Sequence, residues 1–277
     1  MAIFYRLVRF VDDEGQVHYG ELGTEVVTDG SLEGLMVSVY EGKGPLSSDF
    51  VLGTTKRKIA KVLSPVASVP IFIGVGLNYR KHAEEAKATA LAGPYEDIPI
   101  HKEAKWLDYE GELCVVIGKD CKSISESDDP LQYVLGYTAG NDVSARWWQQ
   151  PVQSGNQHGY AKSFDKFAPL GPVLCSRACI PDPMKLTLTT WVNGEERQST
   201  GTDDLIFDIA SIIRHASRGM TLQKGTVIMT GTPSGVGAFM KPPQWLADDD
   251  LVEIEISGIG KIKNRMKFEK RMVEGFT

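Results

Sequence analysis

The sequence predicts an α+β fold that is mainly β, a mixed and largely antiparallel roll rather than a doubly wound sheet. Three observations carry this expectation: short β-like runs recur along the chain, Gly, Pro and Asp punctuate them closely, and only the segment near 205–218 has a convincing amphipathic helical period. No internal repeat is visible. At the N-terminus, runs at 4–10 and 17–20 flank the turn Asp12-Asp13-Glu14-Gly15, and Glu25-Val26-Val27-Thr28 ends at Asp29-Gly30. These predict a small antiparallel lobe. A periodic segment near 54–63 ends at Pro65, and Pro70 introduces the apolar run Ile71-Phe72-Ile73. A soft boundary at 66–70 therefore divides a small N-terminal β lobe, residues 1–69, from a larger domain, residues 70–277. Further β-like runs follow at 113–117, 134–138, 172–175, 185–192, 226–229 and 251–256.

A chain of 277 residues buries a full core without covalent staples, and 42% hydrophobic with 24% charged residues is an ordinary globular composition. Its formal charge of −6 argues against a surface made for nucleic acid or anionic lipid, so a small-molecule ligand is expected. Met1-Ala2-Ile3-Phe4-Tyr5-Arg6 lacks a basic segment leading into an apolar one, and no stretch approaches the roughly 20 apolar residues of a membrane span. A soluble, cytoplasmic protein is the expectation. Cys114, Cys121, Cys175 and Cys179 show neither a C-x-x-C pair nor a zinc spacing, and read as free thiols in a reducing compartment.

The strongest local chemical signal is Asp108-Tyr109-Glu110-Gly111-Glu112, which runs directly into Leu113-Cys114-Val115-Val116-Ile117. At a strand period of two, Glu110 and Glu112 project to one face. Two carboxylates placed so repel each other unless a divalent cation lies between them, and hard oxygen ligands suit Mg²⁺, Mn²⁺ or Ca²⁺ rather than zinc. Solvated glutamates at a strand start are the alternative. Asp142, in Gly140-Asn141-Asp142-Val143-Ser144-Ala145-Arg146, either completes a three-carboxylate site or caps a turn or helix. His82 and Glu85 are three apart and share a helical face, which makes either a carboxylate-polarised general base or an exposed, charged first turn. Gly74-Val75-Gly76 lacks the third glycine of a dinucleotide fingerprint. Lys162, among aromatic and small residues, needs a partner or a substrate anion, and a salt bridge to Asp165 is the simpler account. The turn Thr230-Gly231-Thr232-Pro233-Ser234-Gly235 offers hydroxyls and backbone N–H groups to a carboxylate, or is a tight loop.

Taken together and in order, G-x-G-L-N-Y-x-x-H-x-x-E, D-Y-E-G-E-L, G-N-D-V-S-A-R, K-S-F-D, V-N-G-E-x-R-Q and M-T-G-T-P-x-G-V-G resemble the fumarylacetoacetate hydrolase family, from about residue 71 to 268. The resemblance implies a mixed β-roll core, a homodimer and a bound Mg²⁺ or Mn²⁺ held by Glu110, Glu112 and Asp142. It also implies that His82 and Glu85 activate water, that Lys162 is catalytic, and that Arg146, Gln149, Gly231 and Thr232 hold the substrate's oxygens. A small β-dicarbonyl or 2-oxo acid, acylpyruvate- or oxaloacetate-like, would be hydrolysed or decarboxylated through a metal-stabilised enolate. The family's aromatic-x-Lys-Pro segment is not found after Glu85, where the chain reads Ala86-Lys87-Ala88-Thr89-Ala90-Leu91-Ala92-Gly93-Pro94, so the lid over the site is shortened or replaced. Trp147 and Trp148 beside Arg146 read as a pocket wall or as dimer packing. An isomerase or tautomerase on the same metal site, a specialised biosynthetic enzyme, and a non-catalytic member that has lost its lid are the competing readings.

Overall fold

The computed structural model describes residues 4–24, 32–74 and 90–269. Its first strands are β1 (Arg6–Val11), β2 (Val17–Glu21), β3 (Met36–Glu41), β4 (Val51–Lys58), β5 (Lys61–Leu63) and β6 (Phe72–Gly74). Next come β7 (Leu91–Ala92), β8 (Ile98–Ile100), β9 (Leu107–Asp108), β10 (Gly111–Ile117), β11 (Cys121–Lys122), β12 (Val134–Asn141), β13 (Ser144–Ala145) and β14 (Ala168–Cys175). Between β13 and β14 lies the short helix α1 (Pro151–Ser154). The remainder is β15 (Thr187–Val192), β16 (Glu195–Gly201), α2 (Ile209–Ala216), β17 (Thr221–Leu222), β18 (Val227–Met229), β19 (Leu251–Ile256) and β20 (Gly260–Phe268).

The fold is mainly β, as its alternating patterns predict. One sheet runs β4-β3-β2-β1-β14-β12-β10-β18-β6, with β5 also on β1 and β7 on β14, and a second runs β16-β15-β19-β20-β8. Pairing is antiparallel except for β14 with β7, β18 with β6 and β20 with β8. β1 joins β14 through Arg6 opposite Cys175 and Leu7 opposite Leu174, so the N-terminal strands extend the sheet that carries β10 and β12. The glutamate-free core of β10 is apolar at every position because both of its faces are covered. Leu113, Val115 and Ile117 enter one core with Ile254, Ile256 and Ile262 of the second sheet, while Cys114 and Val116 enter another with Phe4, Leu7 and Leu170. Each such aliphatic side chain contributes about 1.5–3 kcal/mol on burial.

Helix α2 starts later than its period suggested, because Asp208 caps it and accepts the Ser211 N–H at 2.7 Å. Ile209, Ile212, Ile213 and Ala216 form its buried stripe. The periodic segment near 54–63 is strand, β4 and β5, with β4 an edge whose Lys56, Arg57 and Lys58 discourage further pairing. The run Glu25–Thr28 lies outside the described residues, whereas β16 and β20 are strands that the apolar pattern did not mark. Among the described residues no helix is long and apolar enough to cross a membrane. All four cysteines are free, with Cys114, Cys121 and Cys175 buried.

Candidate active site

The register of β10 against β12 assembles the acidic centre. Gly111 lies opposite Asn141 and Glu112 opposite Gly140, so Asp142, one residue past the end of β12, meets Glu110, whose carbonyl accepts the Asp142 N–H at 2.9 Å. One carboxylate oxygen from each of Glu110, Glu112 and Asp142 lies within 4.8 Å of the others, and all three residues are buried. They are therefore not solvated strand-start glutamates, and Asp142 caps no helix. Gly140 permits this approach of strands, since a Cβ there would stand 2.5 Å from Cys114 Sγ.

Two cations enter the cluster. Lys162 Nζ donates to Glu110 Oε2 at 2.9 Å, to Ser144 Oγ at 3.0 Å and to Asp142 Oδ2. The expected Lys162–Asp165 salt bridge does not form, because the ammonium points inward to the two buried acids. Arg146 reaches Glu110 Oε1 at 2.6 Å through Nη1 and Asp108 Oδ2 at 2.9 Å through Nε, and also donates to Gln149 Oε1 at 3.1 Å. Gln149 Nε2 is buried with no hydrogen-bond partner among the described residues, which leaves a donor for a ligand oxygen.

Burial opposes charge on Glu110, yet Lys162 and Arg146 outweigh it and hold that carboxyl below the ordinary range. Burial, reinforced by Asp142 and Glu110, pushes Glu112 well above it, and burial also raises Asp142, with Lys162 pulling the other way. Lys162 is itself shifted upward: burial disfavours its charge, but Asp142 and Glu110 overcome that. Counting Asp108, four buried carboxylates face two buried or half-buried cations. With all four ionised the excess is two negative charges, that of one divalent cation, and the donor set is all carboxylate oxygen, which fits Mg²⁺ or Mn²⁺.

The β18 turn closes one side. Gly231, at φ 104°, donates its N–H to Glu112 Oε2 at 2.7 Å, and the Thr232 hydroxyl donates to the Gly111 carbonyl at 2.9 Å. Gln198 of β16 fixes that turn to the acidic strand: its Oε1 accepts the Gly111 N–H, and its Nε2 donates to Thr232 Oγ1 and the Pro233 carbonyl. Glu110, Glu112, Asp142, Arg146, Gln149, Lys162, Gly231 and Thr232 all border one cavity of about 2170 Å³. His82 and Glu85 lie outside the described residues. Sequence patterns assign no role to Asp108, Ser144 or Gln198, although all three stand in the D-Y-E-G-E, G-N-D-V-S-A-R and V-N-G-E-x-R-Q motifs.

A two-sheet β roll with a buried three-carboxylate centre at the end of its central strands defines the class of protein. Residues 71–267 match the family profile described as fumarylacetoacetate (FAA) hydrolase C-terminal, and the chain belongs to that family. It is 40% identical over 223 residues to the oxaloacetate tautomerase Fahd2a, mitochondrial, of Rattus norvegicus, covering 76% of this chain and 70% of the rat protein. Among solved structures it resembles the 2-hydroxyhepta-2,4-diene-1,7-dioate isomerase of Mycobacterium marinum, with TM-score 0.80 and 30% identity over 96% of this chain and all of that one. The 5-carboxymethyl-2-hydroxymuconate delta-isomerase of Mycobacterium smegmatis gives TM-score 0.77 and 32% identity over 95% of this chain and all of that one.

Proposed function

We propose that the protein is a Mg²⁺- or Mn²⁺-dependent enzyme that moves a proton beside the carbonyl of a small 2-oxo acid or β-dicarbonyl compound, a keto–enol tautomerisation or isomerisation. The observation that carries this reading is the convergence of Glu110, Glu112 and Asp142 with Arg146, Lys162 and Gln149, whose Nε2 has no partner among the described residues, in one cavity. The three acids would hold the ion, whose chemistry is Lewis-acid polarisation of two substrate oxygens. Arg146 and Gln149 orient the substrate carboxylate. Lys162, whose Nζ–H groups go to Glu110, Asp142 and Ser144, supplies positive charge beside the oxygen on which enolate charge develops, and Thr232 with Gly231 shapes the wall behind it. The resemblance assigns the carbon-bound proton to His82, assisted by Glu85.

The names of the rat and mycobacterial relatives favour proton transfer without bond cleavage. Hydrolysis or decarboxylation of an acylpyruvate- or oxaloacetate-like compound is the second reading, favoured by the H-x-x-E pair at 82–85, which suits water activation. A homodimer is the expected assembly, checked by light scattering. We propose a cytoplasmic location, whereas the rat relative's name is mitochondrial. Metal-stripped protein should be given enol-oxaloacetate and acetylpyruvate, with and without Mg²⁺ or Mn²⁺. Metal-restored loss of the enol absorbance without pyruvate or CO₂, abolished in Asp142→Ala, supports the tautomerase. Metal-restored C–C cleavage supports the second reading, and no turnover with metal bound sinks both.

A further inference from the structure

The cavity extends beyond the acidic centre, and aromatic side chains are among its walls. Small-molecule pockets usually hold about 300–1,000 Å³, so a cavity of about 2170 Å³ exceeds what a four-carbon acid needs. Trp106 and Trp245 line it as a stacked pair, with ring centroids 5.7 Å apart and planes 8° from parallel. Trp106 stands at φ 55°, a left-handed backbone conformation that suits glycine or asparagine and is uncommon for a bulky side chain, and the residue is 42% exposed. Strained backbone carrying the largest side chain, half-open to a cavity, points to use of the ring rather than to packing.

The pair is also tied to the acidic centre through the backbone. The Trp106 carbonyl accepts the Arg146 N–H at 3.0 Å, and the residue after Trp245, Leu246, donates to the Leu107 carbonyl at 2.8 Å. Trp106 thus lies two residues before Asp108, which holds the Arg146 guanidinium. Among the described lining residues, the guanidinium and the ammonium are those of Arg146 and Lys162, and both stand at the acidic centre, paired with its carboxylates. A second carboxylate, away from that end, meets no further guanidinium or ammonium among the described lining residues.

We propose that Trp106 and Trp245 form a binding platform for a planar, uncharged distal group, aryl or conjugated alkenyl, of a substrate whose other end is a 2-oxo acid. The proposal rests on the metal-site reading above for the position of the acid end. It assigns selectivity to two residues outside the acidic centre: one carboxylate goes to Arg146 and Gln149, while the distal π face stacks on indole and leaves water.

The test uses the full chain with Mg²⁺ and compares kcat/KM for 4-phenyl-2,4-dioxobutanoate with that for oxaloacetate. The phenyl compound should lead by about tenfold, the order expected from aromatic stacking with apolar burial. Trp245→Ala and Trp106→Gly, the latter suited to a positive φ, should each bring the ratio toward one, while Trp245→Phe keeps most of it. A ratio near one in the unaltered protein, or one unchanged in both variants, overturns the platform and leaves the metal-site reading standing. If neither compound turns over, calorimetric binding of the phenyl compound decides. Binding that weakens in Trp245→Ala keeps the platform while the activity falls; absence of binding removes the platform too. Light scattering on the same samples covers the remaining alternative: a dimer that dissociates in Trp245→Ala with selectivity intact makes the indoles an interface and overturns the proposal.

Discussion

Asp108 Oδ2 accepts the Nε–H of Arg146 at 2.9 Å, and backbone N–H groups of Tyr109, Gly237 and Ala238 satisfy the rest of that fully buried carboxylate. An acid outside the three-carboxylate cluster therefore fixes the guanidinium that reaches into it. Asp108→Asn replaces the charge acceptor for Arg146 by an amide and places an NH₂ against two backbone donors. Breaking a buried, hydrogen-bonded pair from one side costs about 3 kcal/mol. The urea midpoint should fall with m unchanged, and KM for a carboxylate substrate should rise more than kcat falls. Unaltered stability and KM would mean that Glu110 alone positions the guanidinium.

Glu112→Gln separates stability from metal binding. In the metal-free protein Glu112 is buried 2% exposed beside Asp142 and Glu110, and its Oε2 takes the Gly231 N–H, a contact that a glutamine carbonyl also makes. Removing one member of a like-charged buried cluster should stabilise the metal-free fold by about 1 kcal/mol, as other destabilised functional sites do on neutralisation. Saturating Mg²⁺ or Mn²⁺ should raise the unfolding temperature of the unaltered protein and leave that of the variant nearly unmoved. A variant that gains as much from metal as the parent would remove Glu112 from the ligand set.

The parts of this site that sequence reading reached are those whose signal is local. Glu110 and Glu112 share a face through the strand period, and the apolar run behind them announces a strand covered on both sides. Their meeting with Asp142 depends on the register of Gly111 with Asn141, which no local pattern specifies and which the family motifs alone implied. Gln198 was hidden for a related reason. Its strand, Glu195–Gly201, is a polar edge with little apolar alternation, so nothing marked it as structure, and its amide acts across a separation of 87 residues. Asn264 was missed similarly: it occupies a core position of β20 by donating to the Gly93 and Glu96 carbonyls, contacts that exist only once the second sheet is built. Lys162 was legible as a buried cation in need of a partner, but the nearby Asp165 was a poor guide, because tertiary contacts with Glu110 and Asp142 outweigh proximity along the chain.

Cys179 should behave unlike the other thiols. The neighbouring Cys175 thiol holds it down to about 7, with Arg6 assisting against burial, while the same interaction and burial push Cys175 well up. Its reaction with iodoacetamide should therefore rise through about pH 7, and Cys175→Ala should move that midpoint up toward the ordinary thiol value of 9.0. The linked stability has a definite sign. A depressed acid contributes fully above its unfolded value and loses that contribution as pH falls through about 7. Mass-spectrometric site mapping checks both, and equal labelling of the buried Cys114 would contradict the assignment.

Gly111→Ala tests whether the spacing of the two glutamates is set from the second sheet. A Cβ on Gly111 would stand 2.3 Å from Thr190 Oγ1 and 3.1 Å from Gln198 Oε1, and Thr190 is fully buried with that hydroxyl unpartnered. The strand must move away from β15 and β16, which shifts Glu110 and Glu112 on either side of the substitution. Overpacking of this kind costs about 1–3 kcal/mol, and metal affinity should drop with it. Thr190→Ala removes the clashing oxygen and forfeits no hydrogen bond, so it should be tolerated alone and should recover most of both losses in combination. That pattern, a double mutant better than the Gly111→Ala single, is a coupling that a general loosening of the core does not give. If Thr190→Ala instead adds its own cost to that of Gly111→Ala, the contact between the two sheets does not govern the acidic centre, and the β10–β12 register alone holds its geometry.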